Sequence, residues 1–207
     1  NTDEVISGIV YGGLSKKKRN IYQTGFFLDF EILQKFNKPN HINAELTKPY
    51  ISVIIENKYK INCLLSITSL INLSIIEGQK VKNIYKTVHD FLLIMIKNKK
   101  WFKHYCLFLF QLLKIIGYEI DFVKNNKYKY FDLRTLKFSN SKSYDSIEFP
   151  YDLFDKNNTL NIISVNNLFK IFELIFIKYH LSNFNLRLPN QYLLFKKLIL
   201  KKLNKNE

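Results

Sequence analysis

The chain has 207 residues, of which 47% are hydrophobic and 15% aromatic, which is enough to bury a core in one large domain or two smaller ones. Its two cysteines, Cys63 and Cys106, lie in apolar helical stretches, which excludes a disulfide-built scaffold and indicates buried thiols in a reducing cytoplasm. No apolar run reaches membrane-spanning length without Lys, Gln or Glu, so we expect no membrane-spanning segment.

The formal charge of +15 has two explanations that the composition leaves open. An excess of 32 basic over 17 acidic residues is typical of a protein with a polyanionic partner, such as nucleic acid or an anionic membrane. All but three of the basic residues are lysines, and Asn and Ile are also abundant. An AT-rich coding bias would produce the same excess of lysine without any selection for binding.

Three short β-rich stretches open the chain: Val5–Tyr11, Tyr22–Phe30 and Ala44–Leu46. Gly25 is placed to form a β-bulge in the second stretch, and Asn37–Asn40 has the composition of a turn. Asp29 and Glu31 share one face of the second stretch, and we interpret them as solvated strand carboxylates rather than a catalytic pair. The pattern is typical of part of a small Greek-key barrel such as an OB-fold.

Four basic residues form a turn between the first two stretches: Lys16, Lys17, Lys18 and Arg19. One interpretation is a solvated loop. The other is a phosphate-binding element, in which the cations displace counterions from a nucleic-acid backbone. The flanking Tyr11 and Tyr22 would then offer rings on which unpaired bases stack.

From Tyr59 onward the apolar spacing is helical. It predicts one helix that ends near Gly78, a second over Val81–Ile96 and a central helix that begins at Trp101. The central helix presents a wide apolar arc and should be surrounded by protein, with Gly117 as a left-handed residue at its end. Its polar stripe consists of Lys103, Gln111 and Lys114.

Alternating apolar residues predict a strand over Tyr118–Phe122, and strands and loops follow to residue 146. Ser164 is a candidate N-cap for a helix that runs to about His180. Pro189 is well placed to start the last helix, which carries its lysines near the C-terminal end, where cations suit the helix dipole.

Three stretches in this order carry a resemblance to a known family. The first is Ser7–Ser15 with the basic turn and then Tyr22–Gly25. The second is the central helix and its end, at Tyr105, Leu112, Leu113, Gly117, Tyr118, Ile120, Asp121 and Phe122. The third is Phe172–Phe195, in which Leu-Pro precedes the last helix. Together they resemble the RecO family of DNA recombination mediators.

The resemblance implies an α+β fold with two parts. Residues 1–48 would be a small, partial OB-fold β-barrel domain that binds DNA, and residues 49–207 a mainly helical domain with a short β-containing insertion. Family members commonly start earlier, with the first barrel strands, so we expect residues before Asn1 in the complete protein. Some members hold zinc through paired Cys-x-x-Cys motifs in the segment that matches residues 121–146, which has no cysteine here. The four histidines show no ligand spacing, and we predict no metal and no other cofactor.

RecO-like proteins bind single- and double-stranded DNA, anneal complementary strands, and with RecR help RecA onto DNA coated by single-strand-binding protein. The resemblance therefore implies DNA, RecR and the tail of single-strand-binding protein as partners, and it favours phosphate binding by the basic turn. No P-loop, dinucleotide fingerprint or nucleophile elbow is present, so we expect a cytoplasmic binding protein and not an enzyme. The alternatives are a helical protein–protein scaffold whose charge is compositional and, third, a protein of the membrane surface.

Overall fold

The computed structural model of the chain describes residues 3–33, 38–155 and 159–205. Within these ranges the fold is α+β, as predicted. The helices are α1 Lys16–Arg19, α2 Tyr50–Ile54, α3 Lys58–Ser74, α4 Ile84–Lys97, α5 Trp101–Ile115, α6 Ile162–Ile175 and α7 Asn190–Leu203. The strands are β1 Phe27–Leu33, β2 His41–Lys48, β3 Tyr130–Asp132, β4 Lys137–Ser139 and β5 Ser146–Glu148. None of the described helices is long and apolar enough to cross a membrane.

β1 and β2 form an antiparallel two-stranded ribbon in which Phe30 lies opposite Ala44. Across the part of the chain that the structure covers, the ribbon does not close into a barrel. The ladder is irregular between Phe27 and Leu28, so the bulge lies there and not at the predicted Gly25. The predicted turn at Asn37–Asn40 begins in residues outside the described ranges.

The prediction of a first strand over Val5–Tyr11 was wrong. This segment makes isolated bridges with two different partners, from Val5 to Glu77 in the α3–α4 connection and from Ile9 to His41 at the start of β2. A strand ladder needs one continuous partner, and neither partner runs alongside the whole segment. The sequence pattern indicates a segment with β propensity, but it does not indicate which residues pair with that segment.

The second strand starts at Phe27 rather than at Tyr22 because residues 21–25 form turns. Gly25 has φ +89°, in the left-handed region that favours glycine. A Cβ atom at this position would lie 2.5 Å from Cδ2 of Leu64 on α3. The glycine is therefore required both by the turn and by the close approach of the β ribbon to the helices.

α5 is the centre of the hydrophobic core, as its apolar arc predicted. Leu109 and Leu113 are fully buried, and α5 packs against residues of the other long helices. The ring of Tyr105 lies edge-on to Phe195 of α7, with 4.8 Å between centroids. Its hydroxyl is 3.0 Å from the hydroxyl of Ser66 on α3. The tyrosine thus fills the core and gives its one polar atom a buried partner.

The end of α5 confirms the predicted role of Gly117, which has φ +96°. Its N–H donates to the carbonyl of Lys114 at 3.0 Å, and the N–H of Tyr118 donates to the carbonyl of Leu113 at 2.7 Å. These two bonds form a Schellman motif. The strand predicted over Tyr118–Phe122 is absent from the structure, because this extended segment has no neighbouring strand. Its alternating apolar side chains still pack against the core.

Lys103 corrects the predicted polar stripe of α5. It is buried, and its Nζ donates to the backbone carbonyl of Asp155 at 2.5 Å. Because α5 is enclosed on nearly every side, the aliphatic stem packs inside while the ammonium reaches a backbone acceptor. Gln111 and Lys114 are exposed, as predicted.

The two cysteines confirm the prediction of buried thiols. Cys63 on α3 and Cys106 on α5 are both free and fully buried. Burial raises the pKa of both thiols. Both cysteines therefore pack as small apolar side chains and carry no charge near neutral pH.

β3, β4 and β5 form the predicted β-containing insertion, a three-stranded antiparallel sheet in the order β4-β3-β5. Phe131 on β3 is buried and packs on Phe138 of β4 and Phe149 after β5. This aromatic cluster continues to Phe110 on α5, whose ring centroid is 5.9 Å from that of Phe149. The insertion is thus attached to the central helix through stacked and tilted rings.

Asp132 closes the β3–β4 turn and is the basis of a pH prediction. Its Oδ1 accepts from the N–H and the hydroxyl of Thr135 and from the N–H of Arg134, and its Oδ2 accepts from the Ser143 hydroxyl. These donors, the Thr135 N–H foremost, lower the pKa of Asp132 from 3.8 to about 2. A lowered pKa means that the charged form stabilises the turn above the ordinary value. That stabilisation is lost as the pH falls from about 4 towards 2.

We expect an NMR titration of the Asp132 carboxyl carbon to give a midpoint near 2, with the Thr135 amide resonance following the same curve. In the variant Asp132→Asn the Thr135 amide should lose this acid transition, because the amide side chain cannot titrate. A midpoint close to 3.8 would show that the turn does not hold the carboxylate in its charged form.

α6 begins earlier than predicted because Asn161, and not Ser164, is its N-cap. The Asn161 side chain accepts from the N–H of Ile163 at 2.8 Å. The helix continues through a π-helical turn, Phe176–His180, which fits the predicted end near His180, and then through a short 3₁₀ turn. α7 begins directly after Pro189, as predicted.

Candidate nucleic-acid interface

The basic turn folds as a single helical turn, α1, rather than as an irregular loop. Ser15 precedes it as N-cap, and its hydroxyl accepts from the N–H of Lys18 at 3.4 Å. Gly12, with φ +67°, turns the chain into this helix from the extended segment. The side chains of Lys16, Lys17 and Arg19 are exposed. Three cations thus project from one short, capped turn, where a phosphate chain has access to them.

Lys18 differs from its neighbours because it has a partner within the protein. Its Nζ donates to the backbone carbonyl of Tyr11 at 2.6 Å, which fastens α1 to the end of the preceding segment. An ammonium has three donors, so the contact leaves two of them open. Lys18 therefore stabilises the position of α1 and also contributes a cation at its edge.

Tyr11 is two-thirds exposed, at 66%, and packs edge-on against His41 at the start of β2, with ring centroids 4.5 Å apart. The histidine is the aromatic neighbour of the phenol ring, and most of the tyrosine is open to solvent. An aromatic ring that packs on one neighbour and is otherwise exposed is a suitable platform for a stacked base.

Tyr22 is half-buried, and its hydroxyl accepts from the N–H of Ala44 at 2.8 Å. It covers one free donor on β2, which would otherwise be an open edge of the ribbon. Ala44 lies three residues after His41, so the two tyrosines contact β2 at points about 10 Å apart. Both predicted tyrosines therefore flank α1, but they contact different parts of the ribbon.

A groove of about 580 Å³ separates α1 from the ribbon, and its two walls carry opposite charges. One wall contains Lys17, Lys18 and Tyr22. The other wall contains Phe30 and Ala44 together with three exposed carboxylates: Asp29, Glu31 and Glu45. A phosphate backbone would be attracted by the first wall and repelled by the second, so the ribbon restricts it to the outward side of α1.

The acidic wall that the ribbon contributes to this groove was not predicted from the sequence. Asp29 and Glu45 lie directly opposite each other in the register, and like charges in that position destabilise a strand pair. Neither forms an ion pair with another described residue. The pairing depends on how β1 and β2 align, and that alignment is not encoded in the spacing of either strand alone.

The exposed cations of α1 and the exposed ring of Tyr11 are features suited to electrostatic binding and stacking. In a nucleic-acid complex the cations of this site would contribute charge to the phosphate chain, and its tyrosines would offer ring faces to bases. In the part of the chain that the structure describes, no group of three or more His, Cys, Asp or Glu side chains is arranged to hold a metal ion.

Comparison with curated proteins finds relatives that share one name. The chain is 34% identical over 121 residues to the DNA repair protein RecO of Rickettsia canadensis, a match that covers 57% of this chain and 48% of the relative. It is 36% identical over 113 residues to the RecO of Rickettsia bellii, covering 53% of this chain and 46% of the relative. The RecO of Rickettsia akari is 36% identical over 121 residues, or 57% and 49% of the two chains.

The matched region spans about half the length of these curated relatives. No family model and no solved structure matches the chain. Over a little more than half of its length, the chain is therefore similar to proteins named DNA repair protein RecO.

Proposed function

We propose that this protein acts in DNA repair as a binding protein that holds single- and double-stranded DNA and anneals complementary strands. The observation that carries the proposal is its similarity to relatives named DNA repair protein RecO. The exposed cations of α1 support it, because they form a compact cluster of positive charge beside an exposed ring. The proposal needs no catalytic residues, since annealing makes only base pairs.

In this mechanism the protein lowers the repulsion between two polyanions. A formal charge of +15 attracts both strands and raises their local concentration. The cations of α1 bind a backbone, while Tyr11 holds an unpaired base by stacking. The carboxylates of the ribbon limit how far the backbone can wrap, which leaves bases free to pair with a second strand.

We extend the proposal to the domains and partners of the family. Residues 1–48 would belong to an OB-fold-like DNA-binding domain and residues 49–207 to the helical domain. The complete protein would act with RecR to help RecA onto DNA coated by single-strand-binding protein, whose tail it would also bind. These roles require neither a cofactor nor a position on a membrane.

The test is annealing of two complementary oligonucleotides that carry a fluorophore and a quencher. We expect the protein to accelerate quenching without ATP and without added metal. The acceleration should fall steeply as the salt concentration rises. Binding releases counterions from the phosphates, and this release contributes less free energy when the solution already contains more salt. A pair of non-complementary oligonucleotides is the control and should show no quenching.

Two results would count against the proposal in different ways. Binding without acceleration at every salt concentration would leave DNA binding and remove annealing. No binding even at low salt would favour the helical scaffold, whose charge is compositional.

A further inference from the structure

A second cluster of cations lies at one end of the helical domain, far from α1 in the sequence. We name it the bundle-end patch, and it consists of Lys58, Lys60, Lys97, Lys99 and Lys202. These lysines come from three separate segments: the start of α3, the end of α4 with the connection to α5, and the end of α7.

Direct contacts bring the three segments together. The Nζ of Lys60 donates to the carbonyl of Ile96 at 3.2 Å, which joins the start of α3 to the end of α4. The Nζ of Lys202 lies 4.4 Å from the centre of the Tyr59 ring, and the Nζ of Lys58 lies 5.3 Å from the same centre. The ends of α4 and α7 therefore meet at the first turn of α3.

The positive charge of the patch is not paired with carboxylates in the part of the chain that the structure describes. Within the described ranges, none of its five lysines forms an ion pair with a carboxylate. Glu56, which precedes α3, also forms no ion pair there. Lys58, Lys97, Lys99 and Lys202 are exposed, so a ligand can approach them.

The positions of its lysines at helix ends distinguish this patch from an ordinary solvated surface. Lys97 and Lys202 lie at helix C-termini, where cations stabilise the helix. Lys58 and Lys60 instead lie in the first turn of α3, which has no acidic residue and already carries a partial positive charge. Their position opposes helix stability, and a bound anion would remove the conflict.

The patch and α1 are formed by different segments of the chain. The ring of Phe27, at the start of β1, packs on Tyr85 and His89 in the first half of α4. Lys97 ends the same helix, eight residues beyond His89 and therefore about 12 Å further along its axis. The patch thus lies about 12 Å along α4 from the point where the ribbon contacts this helix.

We propose that the bundle-end patch is a second phosphate-binding surface, which holds one nucleic-acid strand while α1 holds another. The inference rests on the proposed DNA-binding function and adds to it a physical reason for annealing. Two strands that are bound at separate surfaces of one molecule meet at a high effective concentration.

The test compares two variants that lose the same charge. In the patch variant, Lys58, Lys97, Lys99 and Lys202 are all changed to Gln, and Lys60 is kept because its contact with Ile96 supports the fold. In the control variant, the exposed Lys82, Lys86, Lys137 and Lys142 are changed to Gln. Thermal unfolding followed by circular dichroism verifies that both variants are folded, and sedimentation verifies that all proteins are compared as monomers.

Two measurements use oligo(dT), which cannot pair with itself. Fluorescence anisotropy across a salt series gives the affinity for one strand, and an immobilised strand that captures a second, labelled strand measures bridging. We expect the patch variant to lose bridging while it still binds one strand, with a salt slope that is lower by about 0.7 per lost phosphate contact. The control variant should keep both properties.

The possible failures are distinguishable. Equal bridging by the patch and control variants would overturn this inference alone. A wild-type protein that binds no oligonucleotide would overturn the proposed function as well. If the patch variant bridges DNA normally but loses binding to phosphatidylserine vesicles, the patch is a membrane-binding surface and the inference is wrong.

Discussion

Replacing Leu109 or Leu113 with alanine is expected to lower the free energy of unfolding by about 2–5 kcal/mol. Both side chains are fully buried, Leu109 near the middle of α5 and Leu113 in its last turn. Alanine would remove their burial and leave a cavity among packed aromatic and aliphatic side chains, which cannot collapse without moving a helix. A loss of this size is a large fraction of the stability of an ordinary domain.

Urea unfolding followed by circular dichroism measures the effect. Leu194→Ala on α7 is the matched control, because that leucine is 60% exposed. The control should change the free energy by less than about 0.5 kcal/mol, the usual scale for surface substitutions. A change that small at Leu109 or Leu113 would mean that the core is not organised around α5.

Replacing Lys16, Lys17, Lys18 and Arg19 together with alanine is expected to weaken DNA binding to a similar degree for all base sequences. Contacts to phosphate carry no direct base information, so affinity should fall without a change in preference. The slope of log affinity against log salt should fall by about 0.7 for each lost contact with a single strand, and so by about 3 if all four cations bind phosphates.

The measurement is fluorescence anisotropy with oligonucleotides of different sequence across a salt series. A variant with four exposed lysines elsewhere changed to alanine, at Lys82, Lys86, Lys137 and Lys142, loses the same charge and is the control. Lys18→Ala alone separates phosphate binding from the contact with the Tyr11 carbonyl. An unchanged salt slope in the four-residue α1 variant would show that α1 is only a solvated turn.

Local chemistry explains which parts of the fold were predictable. The apolar spacing of α5 and the glycine at its end act within a few residues, so the helix and its Schellman motif follow from the sequence. The strand predicted before α1 was wrong because a strand also needs a partner. Val5 and Ile9 find theirs in two separate places.

The same distinction between local and long-range features applies to the candidate site. The four basic residues and two tyrosines were visible in the sequence, and whether they bind DNA stays a prediction. The acidic wall facing α1 arises from the register of β1 against β2, and the bundle-end patch arises from the meeting of three helix ends. Tertiary packing also removes predicted surface features. Lys103, a charged residue expected on the polar stripe of α5, is buried.

The contacts of Asp3 join the start of the chain to the first turn of α4. Its Oδ2 accepts from the N–H of Asn83 at 2.9 Å and its Oδ1 from the N–H of Tyr85 at 3.2 Å. These bonds supply α4 with the carboxylate cap that its own sequence lacks. They join residues 80 and 82 positions apart, and closing so long a loop costs chain entropy before any contact forms. Loss of the opening segment would therefore also leave the N–H groups of Asn83 and Tyr85, at the start of α4, without their carboxylate partner.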